Sequence, residues 1–411
     1  MLNNIDLVNC RVHETMPKRR EYEKSHPWLT FKHDFQRASP RLWANLCAIQ
    51  SKCKHVADTL LPSDKSAELY AVYLAKGVQA TTAIEGNTMT EEEVRNVIHK
   101  GAKLPESRDY QAREVQNILE ACNSIASRIL RAGGAVDLTV EQILTFNRQV
   151  LDGLQLEDGI IPGQISDAMV VVAGYRGAPR ADCEYLLGRL CEMINASNQS
   201  PDNGMRVAHA VIRAVLAHLY LAWIHPFGDG NGRTARLIEL QILIGSGVPD
   251  IAAHLLSNHY NSTRARYYQE LDRASKSRDG VASFVAYAVQ GMLDQLDEQI
   301  KFINGYQWHS TWKDHVYTKF KQRRGVTAQR QRQIALDLWQ FGPKGRAVLK
   351  IRRMTPEIAE SYAGRTERAV SRDLAVLASM GLIEQIADGR VCVHMHSLME
   401  NLPSARQADG K

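Results

Sequence analysis

Residues 225–236 read His-Pro-Phe-Gly-Asp-Gly-Asn-Gly-Arg-Thr-Ala-Arg, and this stretch decides how the rest of the chain is interpreted. An apolar run that ends at Trp223 precedes it, and Pro226 ends that helical pattern because proline has no backbone N–H to donate. The glycines allow sharp turns and bring backbone N–H groups close to an anion. A second helix is predicted to begin near Asn231, and the free N–H groups of its first turn would point to the same place.

The polar side chains of this stretch suit a nucleotide phosphate site. His225 is a candidate base, and the partly negative end of the preceding helix favours its charged form and so raises its pKa. Asp229 offers the hard oxygen ligands that Mg²⁺ prefers. Arg233 and Arg236 are three residues apart in the predicted helix, so their guanidinium groups share one face. A base, a metal ligand, an anion-binding loop and two arginines together indicate a site for a nucleotide with Mg²⁺.

Other loops that bind phosphate or metal fit the stretch less well. A P-loop requires Gly-Lys-Ser or Gly-Lys-Thr, which is absent here. An EF-hand loop that starts at Asp229 would place Arg233 at its fifth position and Leu240 at its twelfth, and neither side chain ligates calcium. The remaining alternative is an ordinary glycine-rich turn between two helices, which does not account for the base, the carboxylate and both arginines occurring together.

The stretch resembles the Fic motif, HPFx[D/E]GNGRxxR, without a gap or a substitution. The resemblance implies a protein adenylyltransferase, which moves AMP from Mg-ATP to a Ser, Thr or Tyr hydroxyl of a target protein or of the enzyme itself. It implies that His225 is the general base and that Asp229 holds Mg²⁺ on the phosphates. The implied nucleotide-binding residues are Gly230, Asn231 and Gly232 in the loop, Arg233 at the β-phosphate, Arg236 at the γ-phosphate, and Phe227, which would pack inward and fix the loop.

A second motif lies upstream, where residues 81–87 read Thr-Thr-Ala-Ile-Glu-Gly-Asn. Thr81 and Glu85 are four residues apart and share a helix face, and Gly86 suits the position that follows a helix end. A carboxylate there has the wrong sign for the helix dipole and calls for a cationic partner. The segment resembles the inhibitory motif [S/T]xxxE[G/N] of Fic proteins that carry it N-terminal to the core. The resemblance implies that Glu85 pairs with Arg236 and misaligns ATP, whereas a solvated helix end is the alternative.

A short β segment lies where the Fic family has a β-hairpin flap that holds the target by adding a strand. The residues expected in the flap are Gln164, Ile165, Val170 and Val171, the last two within a β-like run over 169–172. Many members have an arginine where this chain has Ser166, which leaves the target contacts open.

A pair of tyrosines downstream of the motif offers a candidate for the adenine pocket. Tyr267 and Tyr268 follow Ser257 with a spacing that resembles the family's SxxxxxxxxxYY pattern. The resemblance implies that one of them borders the adenine, and a place in a buried aromatic core is the open alternative.

Helical patterns dominate the chain, which predicts a mainly α fold with a Fic-type helical core, a small β-hairpin flap and a C-terminal winged helix-turn-helix. Basic residues accumulate after Gly305, where we place a domain boundary. The predicted parts are an N-terminal helical extension over 1–64, a Fic catalytic domain over 65–305 with an inhibitory helix at 67–86, and a basic helical connector with a winged helix-turn-helix over 306–411.

The winged helix is predicted from local signals in the last sixty residues. Thr355 suits an N-cap before Pro356, a second helix over Thr366–Met380 ends at Gly381, and two strand-like runs follow. The residues within reach of DNA would be Arg365, Arg368 and Arg372. Winged helices also bind proteins or form dimers, so this function stays open.

Composition excludes some classes of function and location. The net charge of +6 is too small to indicate a nucleic-acid binder by itself. The seven cysteines have neither metal nor redox spacing, which predicts reduced thiols in a cytoplasmic protein. Residues 1–24 lack the apolar core of a signal peptide, and the apolar run Ala210–Ile224 is too short for a membrane span and predicts a buried helix. His394 and His396 have no third ligand that would make a metal site.

Three further possibilities are left open by the sequence. The Fic-like domain could sense ATP for a DNA-binding regulator, or the enzyme could also remove AMP. A homodimer could hold the inhibitory helix through contacts from the neighbouring copy.

Overall fold

The structure is a computed structural model, and it describes residues 20–33, 35, 38–59, 61–100, 105–168, 170–172, 175–196, 204–277 and 279–395. Met169 and His396, which the sequence analysis discusses, lie outside these residues. The chain divides into two compact units, Met1–Gln299 and Ile300–Lys411. The sequence predicts a boundary at 305, and the structural division falls within a long helix at Gly280–Phe320.

The first unit is built almost wholly of helices. They are α1 (Tyr22–Ser25), α2 (Pro40–Asp58), α3 (Ser63–Ala83), α4 (Glu91–Lys100), α5 (Asp109–Ala132), α6 (Val140–Leu151), α7 (Arg180–Ala196), α8 (Arg206–Ile224), α9 (Asn231–Gly245), α10 (Asp250–Ala253), α11 (Leu255–Ser262), α12 (Arg264–Lys276) and the first part of α13 (Gly280–Phe320), whose second part belongs to the other unit. A two-stranded antiparallel hairpin, β1 (Val171–Val172) and β2 (Tyr175–Arg176), lies between α6 and α7.

Helices α8 and α9 form the centre of this unit and pack against each other. The apolar α8 is buried on nearly all sides, from Val207 to Ile224, and α2 and α7 cover it. Its length and composition alone would allow it to cross a membrane, but 78% of its most apolar window is buried, which identifies it as a core helix. Helices α3, α5 and α6 pack on α9. The loop between α8 and α9 therefore starts and ends on rigid, buried helices.

The second unit consists of short helices and a small sheet. Its elements after α13 are α14 (Val326–Leu338), a 3₁₀ segment (Trp339–Lys344), β3 (Arg346–Ala347), α15 (Val348–Ile351), α16 (Pro356–Ser361), α17 (Glu367–Ser379), β4 (Ile383–Ile386) and β5 (Arg390–Val393). The strands pair in the antiparallel order β3-β5-β4, with Ile383 opposite Val393. Thr355 caps α16, as its side chain accepts from the N–H of Ile358. Helix, turn, helix and hairpin thus follow in the predicted order, and their designation as a winged helix stays a prediction.

A buried ion pair lies in the core of the second unit. Asp373 on α17 accepts from Nη2 of Arg330 at 2.7 Å and from Nε at 2.8 Å. Gln331 and Tyr362 each donate to the same carboxylate at 2.8 Å. All of its partners come from α14 or from the end of α16, so Asp373 ties α17 to both helices. Such a pair is tolerated in a core only when the lone pairs of the carboxylate are occupied, as they are here.

We expect Asp373→Ala to destabilise the second unit by about 3–5 kcal/mol, because the Arg330 guanidinium would be left buried without its counter-charge. Hydrogen exchange of the α14 and α17 amides in the full chain would measure this loss as a fall in the free energy of opening. Glu367→Gln, which removes an exposed carboxylate from the same helix, is the control. Exchange of these amides at the parent's rate in Asp373→Ala would contradict the expectation.

Candidate active site

The loop between α8 and α9 is held from inside by two residues of the 225–236 stretch. Phe227 is buried, as the sequence predicts. The Asn231 side chain accepts from the N–H of Phe227 at 3.1 Å and donates to its carbonyl at 2.7 Å. The sequence predicts a phosphate contact for Asn231, but both ends of its amide are committed to the loop. The contribution left to Asn231 is its backbone N–H in the first turn of α9.

Residues outside the loop also hold it in place, through two backbone N–H groups and one side-chain amide. The N–H of Ser166 donates to the carbonyl of Pro226, and the N–H of Ala178 donates to that of Ile224, both at 2.9 Å. Asn147 on α6 donates to the carbonyl of Asp229 at 2.9 Å. Gly177 lies so close that a Cβ there would be 3.0 Å from the carbonyl oxygen of His225. The loop is therefore fixed before any ligand arrives.

His225 has the geometry of a neutral base. Its backbone is left-handed, with φ 48° and ψ 56°, a strained conformation for a residue other than glycine. Its Nδ1 lies 3.2 Å from the carbonyl of Ala222. A carbonyl only accepts, so Nδ1 carries the proton and Nε2 keeps its lone pair.

The direction of the pKa shift of His225 corrects the expectation from sequence. Burial lowers this pKa, and it outweighs the opposing effects of the hydrogen bond to Ala222 and of the charges on Glu85 and Asp229. The helix end predicts a raised pKa, but local sequence does not show how deeply a side chain is buried. The imidazole is neutral at pH 7 and therefore able to accept a proton.

Arg233 is buried between two carboxylates. Its Nη2 donates to Oδ1 of Asp229 at 2.8 Å, and its Nη1 donates to Oε1 of Glu114 at 2.5 Å. Glu114 lies on α5 and was not singled out from the sequence. The sequence signal that could have indicated Glu114 is a carboxylate on the apolar face of α5, where Val115 and Ile118 are buried. The structure thus adds an acid to the site predicted from the motif.

Glu85 and Arg236 make the contact that the sequence predicts. Oε1 of Glu85 accepts from Nη2 of Arg236 at 2.6 Å, and the same nitrogen donates to the carbonyl of Thr81 at 3.0 Å. Arg236 is only 2% exposed, whereas the Glu85 side chain is 31% exposed. Burial opposes ionisation of Glu85, but the Arg236 charge and hydrogen bond outweigh it and lower the pKa. The pair is therefore charged at neutral pH.

The position of Glu85 along the chain differs from the prediction. Helix α3 ends at Ala83, so Glu85 lies in a turn after the helix and not in its last turn. The carbonyl of Thr82 closes this turn by accepting from the N–H groups of Glu85 and Asn87. Gly86 follows with a φ of 105°. A Cβ at Gly232 would overlap Oε1 of Glu85, so the motif glycine gives the carboxylate its space.

The arginine N–H groups of the site that have no partner fit an anion, and the Asp229 carboxylate fits a magnesium ion. Nε and Nη1 of Arg236 and Nε of Arg233 are buried without a hydrogen-bond partner among the described residues. The Asp229 side chain is 38% exposed, and the described residues contain no cluster of three His, Cys, Asp or Glu that could hold a metal by itself. Mg²⁺ commonly binds through one or two carboxylates and completes its shell with phosphate oxygens and water. Asp229 with a nucleotide meets that requirement.

The two tyrosines of the predicted adenine pocket lie in different surroundings, and the pocket itself stays a prediction. Tyr267 is buried, and its hydroxyl lies 2.8 Å from Nε2 of His218, whose Nδ1 lies 3.1 Å from Oε2 of Glu239. Tyr260 donates to the other oxygen of Glu239 at 2.9 Å. Tyr267 therefore belongs to the buried core, which is the alternative that the sequence left open. Tyr268 is 45% exposed and donates to the carbonyl of Ile84 at 3.4 Å, beside Glu85.

A hairpin lies where the sequence predicts the flap, but it is shorter than expected, and its role in holding a target stays a prediction. Val171 pairs with Arg176 in the hairpin and is exposed, and the carbonyl of Val170 accepts from the N–H of Gly177. Gln164 and Ile165 lie outside the strands. Gln164 is the last residue of the Pro-Gly turn, which its N–H closes by donating to the carbonyl of Ile161. Only the second half of the predicted flap is a hairpin.

Comparisons with known proteins agree with this geometry. The Fic/DOC family matches residues 137–243. Protein adenylyltransferase fic-1 from Caenorhabditis briggsae is 31% identical over 208 residues, which are 51% of this chain and 37% of that protein. This chain thus covers less than two thirds of the curated relative that it matches.

Solved structures share the fold. A Fic family protein from Desulfovibrio desulfuricans G20 superposes with a TM-score of 0.52 at 19% identity, over 86% of this chain and 96% of that one. Fic-1 from C. elegans superposes with a TM-score of 0.51 at 25% identity, over 64% of this chain and 73% of that one. With its uninterrupted motif on the loop between α8 and α9, the chain contains a Fic domain.

Proposed function

We propose that this chain is a protein adenylyltransferase that Glu85 holds in an inhibited state. The observation that carries the proposal is the state of His225, which presents a neutral Nε2 on a loop that also holds Asp229. A protein that only senses ATP needs the arginines and the metal ligand, but it has no use for a base. The matched relatives are named protein adenylyltransferases, which supports the same reaction here.

The proposed reaction uses the residues of the loop in distinct roles. Nε2 of His225 takes the proton from a Ser, Thr or Tyr hydroxyl, and the hydroxyl oxygen bonds to the α-phosphorus of ATP. The bond from that phosphorus to the bridging oxygen breaks, and pyrophosphate leaves. Mg²⁺ at Asp229 would neutralise charge on the phosphates. Arg233, Arg236 and the N–H groups of the first turn of α9 orient the phosphates, and such positioning supplies much of the rate in phosphate transfer.

The inhibition proposed for Glu85 follows from competition for one buried cation. Arg236 has Nη2 occupied by Glu85 and by the carbonyl of Thr81. A phosphate that needs this guanidinium must displace the carboxylate or bind elsewhere. Since the pKa of Glu85 is lowered, the carboxylate stays charged and competes at neutral pH.

DNA binding by the second unit is a second candidate function. Arg368 and Arg372 are exposed on α17 and are four residues apart, while Val370 and Leu374 face the core. Like charges at this spacing cost a few tenths of a kcal/mol, and phosphate contacts would offset that cost. Arg365 is exposed in the turn before the helix.

We expect Glu85→Gly to raise auto-modification by about 5–150-fold, the range of a typical coupling free energy. The reason is that Arg236 would become free for the phosphates. Labelled ATP and mass spectrometry of the protein would measure the rate and the added adenylyl mass. His225→Ala in the Glu85→Gly background should then lose about 10²–10⁴-fold.

The matched control is Glu157→Gly, which removes an exposed loop carboxylate. A Glu85→Gly variant no more active than this control would refute the inhibitory role. Full activity of the double variant with His225→Ala would refute the role of the base and favour an ATP sensor.

The pH dependence of the activated Glu85→Gly variant should reflect the lowered pKa of His225. The imidazole is base-competent above its pKa, so the rate is lost only as the pH falls through a midpoint below 6.5. Removal of Glu85 takes away a charge that raises this pKa and so moves the midpoint further down. Auto-modification rates from about pH 5 to about pH 8 would measure it, with Mg-ATP binding to His225→Ala as the control for the nucleotide's own titration. A midpoint above 6.5 would contradict this assignment.

DNA binding predicts a salt dependence that the arginines of α17 set. The double variant Arg368→Ala, Arg372→Ala should weaken retention of duplex DNA and reduce the slope of log K against log salt by about one for each phosphate that is no longer bound. Fluorescence anisotropy with the full chain would measure both quantities. The double variant Lys54→Ala, Lys65→Ala removes the same charge from the first unit and should change neither. Absence of DNA binding by the parent at low salt would exclude this function.

A further inference from the structure

Glu114 is a buried carboxylate that belongs to neither of the two motifs. It is 4% exposed and projects from α5. Its Oε1 accepts from Nη1 of Arg233 at 2.5 Å, and its Oε2 accepts from Nδ2 of Asn87 at 3.0 Å. One oxygen thus contacts the phosphate-binding arginine, and the other contacts the segment that carries Glu85.

Asn87 closes the turn that presents Glu85. Its backbone N–H donates to the carbonyl of Thr82, and its Oδ1 accepts from the N–H of Met89 at 3.0 Å. Its Nδ2 also donates to the carbonyl of Gln111 at 3.1 Å, one turn before Glu114 on α5. The side chain is buried, so these bonds are not exchanged readily for water. They fix the turn on α5 independently of the contact between Glu85 and Arg236.

Glu114 also changes what Arg233 does when a nucleotide binds. In the structure Arg233 holds Asp229 and Glu114 together. If Asp229 turns to a magnesium ion, Arg233 loses one of its two counter-charges. Glu114 remains as the other, so the buried guanidinium keeps a partner and its orientation. Burial raises the pKa of Glu114, and the Arg233 charge and the Asn87 hydrogen bond oppose that rise.

We propose that Glu114 is a positioning residue with two effects: it orients Arg233 for the phosphates, and through Asn87 it anchors the inhibitory turn. The proposal rests on the proposed adenylyltransferase function. One buried carboxylate would then support both the orientation of Arg233 for catalysis and the turn that holds Glu85 in its inhibitory place. Removal of the Asn87 hydrogen bond should therefore release inhibition, while removal of the Arg233 ion pair should weaken nucleotide binding.

The first experiment separates the turn from the chemistry. Asn87→Ala in the full chain should raise auto-modification above the parent, by less than Glu85→Gly does, and should add nothing in the double variant because both changes act on the same inhibition. Asn87→Asp keeps the shape but places a carboxylate against Oε2 of Glu114, so it should activate more strongly. The matched control is Asn195→Ala, which removes an amide that bridges the N–H and carbonyl of Leu138 far from the turn.

The second experiment measures binding without turnover. In a Glu85→Gly, His225→Ala background, Glu114→Gln should weaken Mg-ATP binding by about 10- to 100-fold, the loss expected for a charged hydrogen bond. In Glu85→Gly alone it should raise KM for ATP more than it lowers kcat. Glu120→Gln on the exposed face of α5 is the control. A purely structural role would lower the melting temperature and leave the affinity of the folded protein unchanged.

The outcomes distinguish this inference from the proposed function. An inert Glu85→Gly variant would overturn the proposed function itself. An active Glu85→Gly with Asn87→Ala and Asn87→Asp both at the parent's rate would overturn the anchoring of the turn. Mg-ATP affinity of Glu114→Gln equal to that of Glu120→Gln would overturn the positioning of Arg233.

Discussion

Two guanidinium groups are buried in the first turns of α9, and the rest of the site is arranged around their charge. Arginine does not lose its proton in a protein, so each buried group must have an anion close by. Arg236 forms an ion pair with Glu85, and Arg233 forms ion pairs with Asp229 and Glu114. The phosphates of a nucleotide carry the same sign of charge, so under the proposed function the nucleotide and the protein's own carboxylates would compete for the same donors. In the proposed function, both catalysis and inhibition depend on this one electrostatic requirement.

The parts of the site that lie close together in sequence were predictable, since the helix end, the loop and the next helix fix their mutual position. Residues 225–236 predicted that His225, Asp229, Arg233 and Arg236 lie on one loop and the helix that follows it, while the roles of base and metal ligand stay predictions. The contact of Glu85 with Arg236, 151 residues away, was predicted only because residues 81–87 resemble a known motif. Glu114 was missed because it lies 119 residues from Arg233 and belongs to no motif that would link the two, and periodicity marks only the buried face of α5. The pKa of His225 was misjudged for a related reason, as a helix end is visible in sequence and the depth of burial is not.

Tyr267 and the flap show how packing overrides local signals. The spacing of the tyrosine pair fitted an adenine pocket, but His218 and Glu239 form a buried polar group that engages the hydroxyl of Tyr267. His218 lies in the run Ala210–Ile224, which the sequence identifies only as an apolar helix. The strands of the hairpin are likewise limited to Val171–Val172 and Tyr175–Arg176, while Ser166, in the chain before them, is bound to the loop at Pro226. In each case a contact between distant segments decided between alternatives that local sequence allowed.

The end of α3 at Ala83 has a mechanical consequence. The acid that pairs with Arg236 lies just beyond the last helical hydrogen bond, next to Gly86, whose φ is 105°. Under the proposed inhibition, release of Arg236 would require only these few residues to move, and α3 could stay intact. A protein or ligand that moved these residues aside would have to break only a few local hydrogen bonds. An acid inside α3 could move away only if part of the helix unfolded.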